Sequence, residues 1–313
     1  MKVTISHYEF LKQFPDESAA RTYLENRRWP AGAVCPHCSN RERVQVRKVV
    51  GYFRCLACKE DFTVRTGTIF ERSHIPLDKW LYAMYLISTA RKGISSLQIS
   101  KELGITQKSA WFMLSRIREA CGNGKKGGGL LSGIVEVDET FLGGKEKNKH
   151  TNAPNKLKKG AGHEGKQGVM ALRERGGRTI GVMIGEDTSG AMLVGQIRKN
   201  VAPGSTVCTD DFSGYNQVRK YFPNHLTVQH NAKIFIDGMA GTNGVESVWA
   251  VLKRGYYGIY HQFSVKHMQR YVDEFTFRLN EGNCKVHTMT RIDALIAKTE
   301  GVRITYKALT AEA

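Results

Sequence analysis

The chain has no apolar stretch long enough to cross a bilayer: its longest run, residues 80–87, falls far short of the roughly twenty residues a spanning helix needs. No secretory signal is expected, since the N-terminus is mixed polar from Lys2 onward. It lacks a long Lys/Arg-rich amphipathic helix with a Trp/Phe/Leu face, which sets an anionic membrane surface aside as partner. Acid is scarce. Asp and Glu number 29 against 47 Lys and Arg, a formal charge of +18 over 313 residues. Such an excess asks for a polyanion, and nucleic acid is the first candidate because each neutralised phosphate releases counterions. Seven cysteines, an odd number, argue against a complete disulfide framework. The expectation is a soluble cytoplasmic protein with no membrane partner, long enough for two or three domains.

Four of the cysteines stand together. Cys35-Pro36-His37-Cys38 and Cys55-Leu56-Ala57-Cys58 are two CxxC knuckles sixteen residues apart, with strand-like residues 44–46 and 51–54 between them. Two knuckles place four thiolates at about 2.3 Å from one zinc ion in a closed, structural site. A redox dithiol would need one CxxC beside a βαβ pattern, which is absent. His37 reads as a polar spacer within its knuckle. Arg41, Arg43, Arg47, Lys48 and Arg54 decorate the ribbon, either as DNA contacts or as a solvated face. Cys121, Cys208 and Cys284 have no partners at metal spacing and read as small buried residues.

Around the ribbon (31–72) the pattern is helical. Residues 1–30 form a short helical segment with Asp16 as a cap. In 73–121, Leu77, Trp80, Leu81, Met84 and Tyr85 give a first helix ending near Ala90; Ser95 or Ser96 caps a second to Leu103; Gly104 turns; Thr106 caps a third to about Ala120. Two short helices about a glycine turn are a helix-turn-helix signature, with a plain helical spacer as the alternative. Gln107, Lys108, Ser109, Arg116 and Arg118 are its candidate DNA-binding residues.

A Gly-rich linker, 122–132, separates this half from residues 133–285. There the spacing predicts strands at 133–139, 167–172 and 179–184, a helix at 191–200, a strand at 205–210, a helix from Ser213 to Tyr221, a strand at 226–228 and a helix starting near Asn243. The basic run 143–166 reads as a mobile loop, and a further helix at 265–280 packs behind. The expected class is α/β: a mixed sheet in the order βββαβαβα, with a tail at 286–313.

In the helix near 243, Val245, Val248 and Leu252 form a buried stripe flanked by Glu246 and Lys253, and the seven-residue step between these two is almost two turns, so both point the same way. An exposed acid and lysine on an ordinary amphipathic helix is the plain alternative. Two strands are expected to end in acids, Asp138 and Asp210. With Glu246 they form a set of hard oxygen donors suited to Mg²⁺ or Mn²⁺, and an ion pair about 4 Å apart suits in-line phosphoryl displacement. Glu136 or Glu139 competes with Asp138, and Asp211 with Asp210.

The same residues carry a family resemblance. The two knuckles, Arg65-Thr66-Gly67-Thr68-Ile69-Phe70 before Pro76-Leu77-Asp78-Lys79-Trp80, Val137-Asp138-Glu139-Thr140, Thr209-Asp210, His230-Asn231, and Thr242-Asn243 with Glu246-Ser247-Val248-Trp249 and Lys253 resemble, in this order, the bacterial insertion-sequence transposases with an N-terminal zinc ribbon and an RNase H-like DDE domain. The resemblance implies a nucleoid-associated DNA transposase that cuts element ends with water and joins the 3′ hydroxyls to target DNA by two-metal phosphoryl transfer. It implies Asp138, Asp210 and Glu246 as ligands of two Mg²⁺ (or Mn²⁺) ions, a role for Lys253, one structural Zn²⁺ on Cys35, Cys38, Cys55 and Cys58, terminal inverted repeats and target DNA as partners, and at least a homodimer on DNA. Relatives often carry Gly where this chain has Asp211, and some replace the third acid by Asn where Glu246 stands. His230 and Trp249 read as a structural histidine and a core tryptophan. A zinc-ribbon and helix-turn-helix regulator with an inactive RNase H-like domain is the alternative function, and a ribonuclease of the same fold another.

Overall fold

A computed structural model describes residues 4–122, 129–144, 150, 165–229, 236–237, 239–282 and 285–311. The chain divides into two units, residues 1–126 with 281–313, and residues 127–280.

The first unit begins with helices α1 (His7–Gln13) and α2 (Glu17–Arg28). Ser6 and Glu9 close a reciprocal capping box on α1, and the Asp16 side chain accepts the Ala19 N–H at the start of α2, so both helices begin where a short polar side chain satisfies the orphan amides. Strands β1 (Val44–Val46), β2 (Tyr52–Cys55) and β3 (Asp61–Thr63) form an antiparallel sheet in the order β1-β2-β3. Trp29 sets its edge against the stacked rings of Phe53 and Phe62 on this small sheet.

Helices α3 (Leu77–Thr89), α4 (Ser96–Leu103) and α5 (Gln107–Gly122) follow. Ser95 caps α4, Gly104 takes the left-handed conformation at φ 59° that ends it, and Thr106 accepts the Ser109 N–H at the start of α5. Residues 286–313, expected as a tail, instead supply two helices that group with this unit.

The second unit is built on a five-stranded mixed sheet. Its strands are β4 (Ile134–Leu142), β5 (Gln167–Glu174), β6 (Thr179–Gly185), β7 (Thr206–Asp210) and β8 (His225–Val228), in the order β6-β5-β4-β7-β8. The first three form an antiparallel meander, while β7 and β8 run parallel to β4. Helix α6 (Gly190–Asn200), capped by Ser189, covers one face through Leu193, Val194 and Ile197, against Val135, Val137, Met170 and Leu172. The expected helix from Ser213 to Tyr221 is a correction: two single 3₁₀ turns, Ser213–Tyr215 and Val218–Lys220, stand there. Tyr215 and Val218, three apart, both enter the core, a spacing a 3₁₀ turn serves, and Gly214 lies so near α6 that a Cβ would meet Leu193 at 2.8 Å.

A two-residue pair, β9 (Ile236–Asp237) with β10 (Ala240–Gly241), leads into helix α7 (Asn243–Gly255), and α8 (Val265–Glu281) follows. Both helices lie on the other face of the sheet, where Val245, Val248, Trp249 and Leu252 of α7 and Met268, Val272 and Phe275 of α8 pack with Leu142, Val169 and Ala171. The alternation along β4 therefore sends Val135 and Val137 to one core and the acids Glu136 and Asp138 to the side of α7. Gly181 on β6 admits α8 closely, since a Cβ there would stand 2.4 Å from Val272.

The C-terminal helices are α9 (Thr288–Ile296) and α10 (Tyr306–Thr310). Their strand of chain explains a second correction. Arg116 and Arg118, expected on an exposed recognition face, are buried at 6% and 2% exposure. Arg116 donates to the carbonyls of Ile69, Glu71 and Ile304, so the returning C-terminal segment and the loop after the ribbon cover the side of α5 that periodicity alone leaves open. Gln107 and Lys108 are exposed and Ser109 is half-buried. Lys108 lies over the Tyr306 ring at 4.7 Å, and Gln107 donates to Ser96.

Candidate active site

The four ribbon sulfurs all lie within 4.8 Å of one another. Cys35 Sγ is 3.6 Å from Cys58 Sγ and Cys38 Sγ is 3.6 Å from Cys55 Sγ, close to the roughly 3.7 Å edge of a tetrahedron with Zn–S bonds of about 2.3 Å. The two knuckles are copies of one backbone turn. Cys35 N–H donates to Asn40 and Cys55 N–H to Glu60, and Ser39 and Lys59, each just after the second cysteine, both have φ 60°. Within the crowded set the thiols are driven apart: the amides of Cys58 and Ala57 lower Cys55, while burial raises Cys58. A structural zinc fits this set. Two of the flanking cations, Arg47 and Arg54, face Asp61 at 3.8 and 3.3 Å.

The acids of the second unit gather on the α7 side of the sheet. Strand β4 does not stop at Glu139, where the expected strand 133–139 ends, but continues to Leu142 because Thr140, Phe141 and Leu142 stay paired with β5. The parallel ladder with β7 is recorded from Ile134–Thr206 to Glu136–Cys208; two residues further along each strand come Asp138 and Asp210, on the same face and level with one another. Burial, foremost, with the charges of Asp210 and Glu246, pushes Asp138 up to about 6, against the Trp249 hydrogen bond that lowers it. Asp210 shares this side of the sheet with Asp138, and its neighbour Asp211 is exposed.

Each acid has a local tether. Trp249 Nε1 donates to Asp138 Oδ2 at 2.7 Å, Asp210 Oδ1 accepts the Phe212 N–H at 3.1 Å, and Thr242 Oγ1 donates to Glu246 Oε1 at 3.0 Å. Among the described residues, only the four cysteines bring all their ligand atoms within 4.8 Å, so the three carboxylates are spread more widely than a single-ion cage.

The two rival acids on β4 are engaged elsewhere. Glu136, buried, accepts from Arg175 Nε at 2.9 Å and from the Val245 N–H at 2.9 Å. It thereby caps α7, where Asn243 was the expected cap; Thr242 holds the N-cap position, and its hydroxyl turns to Glu246 rather than to a helix amide. Glu139, on the opposite face, takes a hydrogen bond from the buried Tyr215 hydroxyl; burial first, then the charges of Asp138 and Asp210, push it up to about 7. Lys253 is exposed on α7, and His230 and Asn231 lie outside the described residues, as does Cys284. Cys121 and Cys208 are buried.

Sequence reasoning missed Glu136, Arg173 and Arg175 as supports of α7. Arg173 donates to Gly244 O and Ser247 Oγ, and Arg175 to the carbonyls of Met239 and Gly241. The available signal was the shared strand face of Glu136 and Asp138; the two arginines gave none beyond their place at the β5 end.

The ISXO2-like transposase domain matches residues 130–280, and the transposase zinc-ribbon domain matches residues 15–61. An uncharacterized protein in transposable element ISH50 of Halobacterium salinarum is 25% identical over 254 residues, 78% of this chain and 84% of the relative. The crystal structure of the Mos1 strand transfer complex aligns at 13% identity with a TM-score of 0.29 over 67% of this chain and 74% of that one, a likeness too low to carry weight. No helix among the described residues is long and apolar enough to cross a membrane. With both domain matches in order along one polypeptide, the chain belongs to the insertion-sequence transposases that join a zinc ribbon to a DDE transposase domain.

Proposed function

We propose that this chain cuts the ends of its insertion sequence and joins the freed 3′ hydroxyls to target DNA, with Asp138, Asp210 and Glu246 as the metal-holding acids. The observation that carries the reading is the placement of these acids: Asp138 and Asp210 on neighbouring parallel strands, and Glu246 on the helix that packs over that side of the sheet and whose Trp249 bonds Asp138. The sheet order β6-β5-β4-β7-β8, a meander followed by two parallel strands, supports an RNase H-like domain.

The donor set fits magnesium or manganese: three carboxylates, all hard oxygen donors, brought to one side of the sheet by two strands and a helix. Two ions about 4 Å apart space their outer ligands more widely than one ion does, which suits carboxylates that do not close to a single cage. When bound, such ions stabilise the charge on the phosphoryl oxygens during in-line displacement. The protein's own part is to hold the acids on a rigid sheet and to offer Lys253, two turns along α7 from Glu246, as a charge for a DNA phosphate. The nucleophiles are water and then a 3′ hydroxyl, so no covalent link to the protein is required.

The first unit serves the DNA in this reading. The ribbon, held by zinc, and the α4–α5 pair, read as a helix-turn-helix, recognise the terminal inverted repeats, with Gln107, Lys108 and Ser109 as the base-facing candidates. Burial of Arg116 and Arg118 assigns those two to the fold. Joining two ends requires at least two chains on DNA, and the setting is the cytoplasm. A duplex carrying the terminal repeats, a scrambled duplex and an RNA:DNA hybrid, each incubated with Mg²⁺, test the function. Cuts mapping to the repeat ends and leaving 3′ hydroxyls are expected; binding without cutting indicates a regulator, and preferential cutting of the hybrid a ribonuclease.

A further inference from the structure

We propose that Trp249 is a positioning residue of the acid site, holding the Asp138 carboxylate in the orientation that receives a metal ion and fixing α7, and so Glu246, in step with β4; this rests on the metal-site reading above. Trp249 is 6% exposed, and its ring belongs to the core between the sheet and helices α7 and α8. A core tryptophan needs only one acceptor for its single N–H. Here that acceptor is the buried carboxylate of the candidate ligand, at 2.7 Å.

The geometry of the two elements gives this bond a second consequence. Helix α7 is tied to β4 at two points, Val245 N–H to Glu136 Oε2 and Trp249 Nε1–H to Asp138 Oδ2. The two rungs are two residues apart on the strand, about 6.6 Å at strand rise, and four apart on the helix, about 6 Å at helix rise. The matching steps hold strand and helix in register, and Glu246 sits between the rungs, one residue beyond the first. Loss of the second rung leaves the Val245 N–H to Glu136 bond as the one of these two polar ties that remains, beside the apolar packing of Val248 and Leu252. A tryptophan that merely filled the core would need neither the partner nor the spacing.

The test is Mn²⁺ binding to the full-length, zinc-loaded protein, followed by electron paramagnetic resonance of the free ion, for wild type, Trp249→Phe and Asp138→Asn. The phenyl ring keeps most of the apolar volume and removes the N–H. We expect Trp249→Phe to weaken Mn²⁺ binding about tenfold, in the range typical of groups that orient a metal ligand, and to show the same shift in the Mn²⁺ concentration for half-maximal cleavage while saturated cleavage changes less. Wild-type Mn²⁺ affinity in a folded Trp249→Phe, with Asp138→Asn impaired, overturns the positioning role alone; wild-type affinity in Asp138→Asn overturns the metal site beneath it. Should Trp249→Phe fail to fold, the indole ¹⁵N–¹H resonance that Asp138→Asn displaces in otherwise wild-type protein decides: its movement on Mg²⁺ addition supports the role, and its indifference to Mg²⁺ overturns it.

Discussion

Gly244 lies against the Glu136 carboxylate so closely that a Cβ at this position would stand 2.5 Å from Oε2, the oxygen that accepts the Val245 N–H. Helix propensity and this contact make opposite forecasts. Alanine is the better helix former by about 1 kcal/mol, whereas displacing a buried, ion-paired cap costs about 1–3 kcal/mol. Gly244→Ala is therefore expected to lower the melting temperature by several degrees, as thermal unfolding read by circular dichroism will show. A rise would mean that the Glu136 cap yields without cost.

Acid titration gives a second expectation. The folded-state pKa of Asp138 is raised from 3.8 to about 6, chiefly by burial, so between these values the folded chain binds more protons than the unfolded one. Its contribution to stability is present below pH about 4 and is lost as pH rises through about 6, a difference on the order of 3 kcal/mol. In magnesium-free buffer, Asp138→Asn is expected to gain stability over wild type as pH goes from 4 to 7, and added Mg²⁺ is expected to narrow the gap by stabilising only the wild type. Parallel pH profiles for the two proteins would contradict the assignment.

The ribbon predicts one zinc per chain by elemental analysis and its loss in Cys35→Ser or Cys55→Ser. Because the four thiolates surround one point between two identical turns, removing the ion leaves them crowded and mutually repelling. Chelation is expected to expose the Trp29, Phe53 and Phe62 cluster, visible as a change in tryptophan emission. Unaltered emission after complete zinc removal would show that the aromatic core holds the ribbon by itself.

Helix α5 carries both buried cations and exposed polar side chains. Arg116→Ala strands the carbonyls of Ile69, Glu71 and Ile304 and is expected to cost about 3 kcal/mol. Gln107→Ala and Lys108→Ala touch exposed side chains and are expected to weaken binding to the terminal repeats, with melting temperature unchanged. Repeat binding that is insensitive to both would move recognition off the start of α5.

These cases show what the primary structure made legible. The meander, the parallel strands and the stripe Val245, Val248, Leu252 follow from periods of two and of three to four, and the knuckles follow from spacing alone. Placing Asp138 beside Asp210 needed only that two strands be neighbours. What periodicity could not supply was long-range. It left Arg116 on an open face because the covering carbonyl of Ile304 lies 188 residues away. It ended β4 at its acids because it could not see the pairing with β5 that carries the strand to Leu142. It took Ser213 for a helix cap where core demand at Tyr215 and Val218 favours 3₁₀ turns. The Trp249 bond to Asp138 joins residues 111 apart, and the sequence read Trp249 only as a core tryptophan.

The central claim is that three acids remote in sequence form one site for phosphoryl transfer. The direct measurement is Mg²⁺-dependent joining of a pre-cut terminal-repeat duplex, bearing a free 3′ hydroxyl, to plasmid DNA by wild type, Asp138→Asn, Asp210→Asn and Glu246→Gln, with Asp211→Asn as the neighbouring control. The account predicts at least about a hundredfold loss in each of the first three variants, with zinc content and repeat binding retained and Asp211→Asn near wild type. Joining at the wild-type rate by any of the three would contradict it.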